Sequence, residues 1–275
     1  MIKHVLSIAG VDPSGGAGLL ADLKTFSALE TYGTGIVAAL TAQNTLGVTG
    51  VHPTPADFVV EQIDTLLADV RIDAMKIGML GTAEVTHAVA DALRRHQAKH
   101  IVLDPVMVAK SGHQLLAADA IDALCRELVP LAEIVTPNLP EAGVLLRRPA
   151  PTTLAEMRAA ARDLHALGPK FVLLKGGHLA GDEAIDILDN GSRQWELRSI
   201  RIRTSNTHGT GCTLSAALAA NLARFEDVIL ASHEAKAYLS AAIAAAGRLH
   251  VGAGHGPVHH FHAVWNTPAG KCTLR

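Results

Sequence analysis

The sequence is poor in aromatic residues and cysteines, and each shortage excludes a class of protein. Only 3% of the 275 residues are aromatic while 49% are hydrophobic, so the core must be built from Val, Ile, Leu and Ala. Such an aliphatic core is typical of buried parallel strands flanked by helices. The three cysteines, Cys125, Cys212 and Cys272, form no C-x-x-C pair, which argues against a disulfide framework and against a cysteine-rich zinc site.

A strong net charge, a signal peptide and a membrane-spanning run are also lacking. The formal net charge is −2, so the chain lacks the excess of positive charge expected of a protein that binds nucleic acid. The N-terminus, MIKHVLSIAG, is too short an apolar run for a signal peptide, and no apolar run is long enough to cross a bilayer. We therefore expect a cytoplasmic protein with neither a nucleic-acid partner nor a membrane partner.

What the sequence does contain is a regular alternation of strand-like and helical patterns. The strand-like runs are Val5–Ala9, Ile36–Ala42, Met75–Gly78, Ile101–Leu103, Ile134–Thr136 and Phe171–Lys175. The helical patterns are Ala17–Leu29, Ala56–Asp69, Ala83–His96, Ala117–Leu128, Leu154–Leu167, Leu214–Leu222 and Val228–Leu249. This alternation predicts an α/β fold with a mainly parallel sheet and helices on both faces.

In the second half of the chain, a cluster of turn-forming residues interrupts the alternation of strands and helices. The cluster Asp189–Ser192 separates the runs Ala184–Leu188 and Gln194–Ile202, which predicts an antiparallel pair at a sheet edge. No composition break divides the chain, so we expect one large domain over residues 1–266 and a short tail over 267–275.

A glycine-rich segment, NTHGTGCT, precedes the helical pattern LSAALAANLA. Glycines let the backbone aim several N–H groups at one point, and a helix N-terminus adds unpaired donors and partial positive charge. Gly209, Thr210 and Gly211 therefore form a candidate anion hole for a phosphoryl group, with Cys212 in the first turn. There the helix should lower the thiol pKa, so Cys212 is a candidate base. Taken alone, the motif favours a plain helix start with a buried cysteine.

A second glycine loop, AGVDPSGGAG, follows the first strand and opens a helix. Its spacing fits no dinucleotide fingerprint, but it suits close approach of the backbone at Gly10 to a ligand. Asp22 lies beyond the first turn of that helix and is a candidate acceptor for a substrate amine or hydroxyl. The alternative for the loop is a turn in which Asp12 or Ser14 caps the helix.

Polar residues follow three further strands, where the carboxyl ends of parallel strands share one crevice. Asp104 follows one strand, Asn138 and Glu141 follow the next, and Lys175 ends a third. Carboxylate and amide oxygens suit magnesium, often through water, and a lysine can offset phosphate charge. Asp104 and Glu141 are thus the candidate metal residues. For N-x-x-E alone, a helix capping box is the more frequent explanation.

Gln43, at the end of the second strand, carries an amide that can read a heteroaromatic ring edge. Met79 and Val106 are candidate apolar walls for the same ring, although ordinary core positions would explain both. The His-rich segment HGPVHHFHAVW has no zinc-enzyme spacing. We therefore expect it to pack on the domain through Phe261 and Trp265.

Taken together, these motifs resemble the hydroxymethylpyrimidine/phosphomethylpyrimidine kinases of thiamine biosynthesis, within the ribokinase-like superfamily. The matching strings run from Ser7 to His262 and are SIAGVDPSGGAGLLADLKTFSAL, AQNTLGV, MKIGML, VLDPVMVAKSG, VTPNLPEA, LLKGGH, NTHGTGCTLSAALAA and GPVHHFH. The helix-cap, turn and core explanations given above apply to single motifs. Because so many motifs occur in family order, all of those explanations would have to be true together for the resemblance to be a coincidence.

The resemblance implies a three-layer α/β/α sandwich without the large lid domain of sugar kinases, and a homodimer. It implies two successive phosphoryl transfers from ATP with Mg²⁺. It assigns pyrimidine binding to Gly10, Asp22, Gln43, Met79 and Val106. It assigns magnesium-ATP to Asp104, Asn138, Glu141 and Lys175, and catalysis to Lys175 and the residues Gly209, Thr210, Gly211 and Cys212.

Two alternatives stay open. The first is a pyridoxal, pyridoxine or pyridoxamine kinase, because that substrate ring is similar and also bears a hydroxymethyl arm. The second is a ligand-binding module that kept the fold and lost the chemistry, against which the intact glycine loop argues.

Overall fold

The computed structural model describes residues 1–107 and 118–265. The predicted tail over 267–275, Cys272, the VAKSG part of one family string from Val108 onward, and the first residue of the predicted helix Ala117–Leu128 lie outside the described residues.

A nine-stranded sheet runs through the described part of the chain in the order β3-β2-β1-β4-β5-β6-β7-β8-β9. Six strands are mutually parallel, and β3, β8 and β9 join antiparallel at the two edges. The strands are β1 His4–Val11, β2 Tyr32–Gln43, β3 Val48–Pro53, β4 Ala74–Ile77, β5 Ile101–Leu103, β6 Ile134–Val135, β7 Phe171–Leu174, β8 Glu183–Asp189 and β9 Gln194–Ile200.

Helices cover both faces of this sheet. They are α1 Gly18–Ala28, α2 Ala56–Leu67, α3 Ala83–Arg95, α4 Ala118–Ala123, α5 Leu139–Leu145, α6 Leu154–Asp163, α7 Thr210–Phe225 and α8 Val228–Ala244. Alternate strand residues point to opposite faces. In β5, Ile101 and Leu103 join the core under α2 to α6, while Val102 joins the core under α1, α7 and α8. The predicted three-layer α/β/α fold is confirmed.

Several boundaries differ from the predictions. The strand Val48–Pro53 was not predicted, because VTGVHP contains Gly and Pro and its residues lie half-buried or exposed at the sheet edge. The last helix ends at Ala244 and is followed by a 3₁₀ turn over Ala246–Arg248, so the predicted extent to Leu249 is wrong. Helix α7 begins at Thr210, earlier than the predicted Leu214.

The parallel strands bring their carboxyl ends to one edge of the sheet. Residues that end or follow β2, β1, β4, β5, β6 and β7 therefore meet there, and these carry the predicted site residues. Within the described residues, no helix combines the length and the apolar character needed to span a bilayer.

Candidate active site

The segment Gly209–Cys212 forms the start of α7, with Gly209 as its N-cap in a left-handed conformation, φ 75°. A Cβ atom at position 209 would overlap the carbonyl oxygen of Gly16, so only glycine fits. The N–H groups of a first helical turn have no acceptor within the helix. This loop therefore offers backbone N–H donors and partial positive charge at the sheet edge, although the Thr210 N–H also donates to the Thr207 carbonyl at 3.4 Å.

A lysine and two carboxylates lie beside this loop. Lys175 Nζ donates to Asp104 Oδ1 at 2.8 Å and lies 3.9 Å from Glu141 Oε2. A Cβ atom added to Gly211 would lie 3.3 Å from Lys175 Nζ and 3.8 Å from Asp104 Oδ2. The four residues therefore form one contiguous patch, although they come from separate parts of the chain.

Neighbouring hydroxyl groups fix the Asp104 carboxylate. Thr136 Oγ1 donates to Oδ1 at 3.2 Å, and Ser215 Oγ on α7 donates to Oδ2 at 3.1 Å. Burial opposes ionisation of Asp104, but the charges of Lys175 and Lys76 together with the hydrogen bonds from Lys175 and Ser215 outweigh burial, and the pKa of Asp104 is lowered. Asp104 is therefore an ionised anchor for Lys175.

The pKa of Glu141 is shifted in the opposite direction to that of Asp104. Burial, with the Asp104 charge added, raises the pKa of Glu141 to about 7, against the opposing effect of Lys175. Its side chain also completes a capping box with Asn138: Asn138 N–H donates to Glu141 Oε2 at 2.7 Å, and Glu141 N–H donates to Asn138 Oδ1 at 2.9 Å. The capping-box explanation of N-x-x-E is thus confirmed, and the same carboxylate also faces Lys175.

The donor set at Asp104 and Glu141 fits magnesium, although it is not a closed metal cage. No group of three or more His, Cys, Asp or Glu side chains arranged to hold a metal ion occurs within residues 1–107 and 118–265. Magnesium needs only one or two carboxylates because it keeps several waters.

Cys212 lies where the sequence predicted it, in the first turn of α7, but its predicted pKa is wrong. Burial raises the pKa of the thiol to about 11, with Asp22 and Asp104 adding to the rise, while Lys76 and the Gly18 N–H oppose it. The helix N-terminus alone would lower a thiol pKa. Here desolvation outweighs it, and the thiol is protonated at neutral pH.

The residues predicted to bind the ring lie at or after the ends of β1, β2, β4 and β5, and two of them, Gly10 and Met79, are in contact. Gly10 N–H donates to the Met79 carbonyl at 3.1 Å, and a Cβ atom on Gly10 would overlap the Met79 side chain. Gln43 is half-buried, with its Oε1 3.1 Å from Thr41 Oγ1, and Val106 is also half-buried.

Asp22 was predicted to accept hydrogen bonds from substrate and is instead engaged within the protein. It is wholly buried, and its Oδ2 accepts from Ser7 Oγ at 2.6 Å and from Lys76 Nζ at 2.8 Å. Its Oδ1 has no hydrogen-bond partner among the described residues. Sequence reasoning missed Lys76, although a lysine inside the apolar strand AMKI was a visible anomaly.

Two further residues, Asp12 and His208, join the two glycine loops and were not predicted to act in the site. Asp12 Oδ2 lies 2.7 Å from His208 Nε2 and also accepts from the N–H of Ala17 at 3.0 Å and the hydroxyl of Ser14 at 2.9 Å. The N-cap of α1 is Ala17, so Asp12 does not cap the helix. We name the pair Asp12–His208 the loop clamp.

The His-rich C-terminal segment packs on the domain. Phe261 and Trp265 stack with ring centroids 4.9 Å apart, His259 N–H donates to Ala242 O on α8, and His255 N–H donates to Thr45 O just beyond β2. The segment packs on the domain as predicted, but the predicted anchors are wrong: Phe261 and Trp265 stack on each other, Trp265 is exposed, and the contacts to the domain come from the histidine backbone. The segment thus contacts the turn that follows β2, two residues beyond Gln43.

Comparisons with known proteins agree with this geometry. The profile of the phosphomethylpyrimidine kinase family matches residues 12–259. The chain is 52% identical over 262 residues to the hydroxymethylpyrimidine/phosphomethylpyrimidine kinase of Salmonella typhimurium, covering 95% of this chain and 98% of that protein.

Two solved structures show the same fold. A pyridoxal kinase from Staphylococcus aureus, in complex with AMP-PCP and pyridoxal, matches with a TM-score of 0.88 at 34% identity, covering 96% of this chain and 95% of that one. The phosphomethylpyrimidine kinase of Clostridium difficile matches with a TM-score of 0.78 at 39% identity, covering 88% and 99%. On its profile match and its identity to a full-length relative, the chain belongs to the phosphomethylpyrimidine kinase family.

Proposed function

We propose that this chain uses ATP to phosphorylate the hydroxymethyl group of 4-amino-5-hydroxymethyl-2-methylpyrimidine and then phosphorylates the monophosphate to the diphosphate, for thiamine biosynthesis. The observation that carries the proposal is the Gly209–Cys212 loop. It opens a helix at the shared strand edge, against Lys175 and Asp104. The names of the family relatives support the choice of pyrimidine.

In the first transfer, the substrate hydroxyl oxygen forms a bond to the γ-phosphorus of ATP. The bond from that phosphorus to the bridging oxygen breaks, and ADP leaves with the oxygen. The N–H donors of Gly209–Cys212 and the ammonium of Lys175, which lies beside Gly211, would stabilise the negative charge that develops on the phosphoryl group. In the second transfer, a phosphate oxygen of the monophosphate takes the place of the hydroxyl.

Cys212 is the candidate acceptor of the hydroxyl proton. Because burial raises the pKa of its thiol to about 11, Cys212 must first lose its own proton to solvent water before it can act as base. Positioning and charge stabilisation by the loop therefore carry more of the proposed mechanism than proton transfer does.

Asp104 and Glu141 would hold Mg²⁺, with Asn138 fixing Glu141 through the capping box. The ion supplies electrostatic stabilisation of the phosphates when bound. Lys175 already links both carboxylates, so the protein keeps the two oxygens near each other without the ion.

Gln43 would hydrogen-bond the ring edge, with Gly10 beneath the ring and Met79 and Val106 as apolar walls. Asp22 would act through Lys76 rather than as an open surface acid, because its side chain is wholly buried.

A second candidate function is pyridoxal kinase, favoured by the likeness in fold to the Staphylococcus aureus enzyme. One assay separates the candidates: ADP release measured with the pyrimidine, its monophosphate and pyridoxal under the same conditions. We expect kcat/KM to favour the pyrimidine by about tenfold or more over pyridoxal. A preference for pyridoxal would overturn the proposal, and no ADP release with any substrate would indicate a non-catalytic binding module. The homodimer and the cytoplasmic location stay predictions of the sequence.

A further inference from the structure

A buried ion pair joins helix α8 to strand β8, beside the segment that carries Lys175. Lys236 Nζ on α8 donates to Asp186 Oδ2 on β8 at 2.7 Å, and both side chains are largely buried. Well-packed apolar side chains often replace such a pair without loss of stability. Asp186 also interrupts the apolar run of β8 between Ile185 and Ile187, so packing alone does not explain a carboxylate there.

The second oxygen of Asp186 holds the backbone next to Lys175. The Gly176 N–H donates to Asp186 Oδ1 at 2.8 Å. Strands β7 and β8 pair antiparallel with Leu174 opposite Ile187, so the same register places Lys175 opposite Asp186. Asp186 thus uses one oxygen for the Gly176 backbone and the other for the ion pair.

The backbone at Lys175 and Gly176 is held from both sides. On one side the Lys175 N–H donates to the Pro137 carbonyl at 2.8 Å, and on the other the bond to β8 holds Gly176. A Cβ atom on Gly176 would overlap the Ile185 carbonyl oxygen, so the chain lies directly against β8 here. The Lys175 side chain leaves this segment and places its Nζ 2.8 Å from Asp104 Oδ1. The position of the ammonium therefore depends on where the segment is held.

We propose that Asp186 is a positioning residue for Lys175: its carboxylate holds the Gly176 N–H, and Lys236 balances the charge of that carboxylate. Without this hydrogen bond, the segment shifts and moves the ammonium of Lys175 away from the transferred phosphoryl group. The effect on catalysis rests on the proposed function, but the anchoring of the Lys175 backbone does not.

Two double variants separate the hydrogen bond from the ion pair. Asp186→Asn with Lys236→Met removes both charges and leaves a carbonyl oxygen that can accept from Gly176. Asp186→Leu with Lys236→Met removes the same charges and also the acceptor, with a side chain of similar shape. The difference between the asparagine double variant and the leucine double variant therefore isolates the bond to Gly176.

Asp189, at the other end of β8, supplies the matched control for loss of a buried acceptor. It is buried, accepts from the Gly191 N–H at 2.6 Å, and lies opposite Val172 rather than Lys175. Asp189→Leu therefore removes the acceptor of another glycine N–H from the same strand, away from the proposed site.

The first measurement is steady-state kinetics with the pyrimidine and ATP, below the melting temperature of every variant. We expect the asparagine double variant to keep kcat within about threefold of wild type and the leucine double variant to lose about ten- to a hundredfold, because a displacement of about 1 Å has effects of that size. The KM for the pyrimidine should change by less than about twofold in both. Asp189→Leu should lower thermal stability and leave kcat within about twofold of wild type.

The same comparison in a Lys175→Ala background tests whether the effect passes through the lysine. There the two double variants should differ by less than about twofold, since residues that act through one group are not additive. Equal kcat of the two double variants when Lys175 is present, or a difference that persists without it, would overturn the proposal. An equal loss of kcat in Asp189→Leu would show that the effect is structural only. If the leucine double variant does not fold, Asp186→Ala with Lys236→Met takes its place with the same expectations.

Hydrogen exchange at Gly176, read by mass spectrometry, measures the anchoring without any substrate. We expect exchange about tenfold or more faster in the leucine double variant than in the asparagine double variant. If the wild-type chain releases no ADP with the pyrimidine or its monophosphate, the proposed function is wrong, and the exchange rates alone decide: faster exchange keeps the anchoring and equal exchange overturns it. An active kinase with equal kcat and equal exchange in the two double variants keeps the function and loses this inference.

Discussion

A single hydrogen atom at Gly209 lets the two glycine loops come together. Its φ of 75° lies in the left-handed region, and a methyl group there would overlap the Gly16 carbonyl oxygen. The anion hole therefore depends on glycine for its backbone conformation and for its contact with the first loop.

We predict that Gly209→Ala lowers kcat by about a hundredfold, because a displacement of about 1 Å in a reacting geometry has that effect. Gly247→Ala is the matched control, because nothing lies within 4 Å of a Cβ atom at position 247. Steady-state kinetics with thermal melts would check this. Equal activity of the two variants would contradict the assignment of the loop.

Cys212 offers the second prediction at this scale. Cys212→Ala should lower kcat by about 10² to 10⁴ with little change in KM for ATP, if the thiolate accepts the hydroxyl proton. Since burial raises the pKa of the thiol to about 11, wild-type kcat should still rise with pH through the weakly alkaline range. A pH-rate profile of both proteins measures this. A variant that keeps near wild-type kcat removes Cys212 from the base role.

At the scale of elements, the site is assembled by ties between loops that are far apart in the chain. The loop clamp joins the turn after β1 to the segment before α7, and a Cβ atom on Gly16 would overlap the His208 ring. Removing the imidazole would therefore loosen both glycine loops at once.

We predict that His208→Ala lowers kcat by about ten- to a hundredfold and that His208→Gln, which retains a donor toward Asp12, restores part of it. His233→Ala, at an exposed position on α8, serves as the control for loss of an imidazole. Kinetics of the three variants decide the matter. A fall in thermal stability with unchanged kcat would show that the clamp is structural only.

The elements that the sequence predicted well are those whose signal is local. Ile101–Leu103 is a short apolar run buried on both faces, and its predicted bounds match the strand. The edge strand Val48–Pro53 has exposed residues, Gly and Pro, so neither alternation nor an apolar run marks it. Helix ends shifted by a few residues, since capping depends on contacts made beyond the helix.

The same difference between local and non-local signals explains which site residues the sequence could predict. Asp104, Glu141 and Lys175 were predictable because parallel strands end at one edge. The Lys76–Asp22 pair joins residues 54 positions apart, and no local pattern pairs them. The direction of the Cys212 pKa was wrong because helix-end charge is a local property, whereas desolvation depends on everything packed around the thiol.

At the scale of the whole molecule, the buried neutral side chain of His260 should make the protein less stable in acid. Burial lowers the pKa of His260 to about 3, whereas an unfolded histidine titrates near 6.5. Between these values the unfolded chain binds the extra proton, so this group favours the fold fully above about pH 6.5 and progressively less below it.

We predict that the contribution of His260 to the free energy of unfolding falls by about 1.4 kcal/mol for each unit by which the pH is lowered near pH 5. His260→Gln should flatten the dependence by that amount, and His87→Gln, at an exposed position, should not. Urea unfolding at several pH values measures the slopes. Parallel slopes in wild type and His260→Gln would contradict the burial argument.

The whole account depends on two phosphoryl transfers at one glycine loop. The most direct measurement follows phosphorus NMR signals while the protein acts on hydroxymethylpyrimidine with ATP and magnesium. We predict a monophosphate signal that appears first and then gives way to a diphosphate signal, with both forming about a hundredfold more slowly in Gly209→Ala. A reaction that stops at the monophosphate, or a Gly209→Ala protein that makes both products at the wild-type rate, would contradict the account.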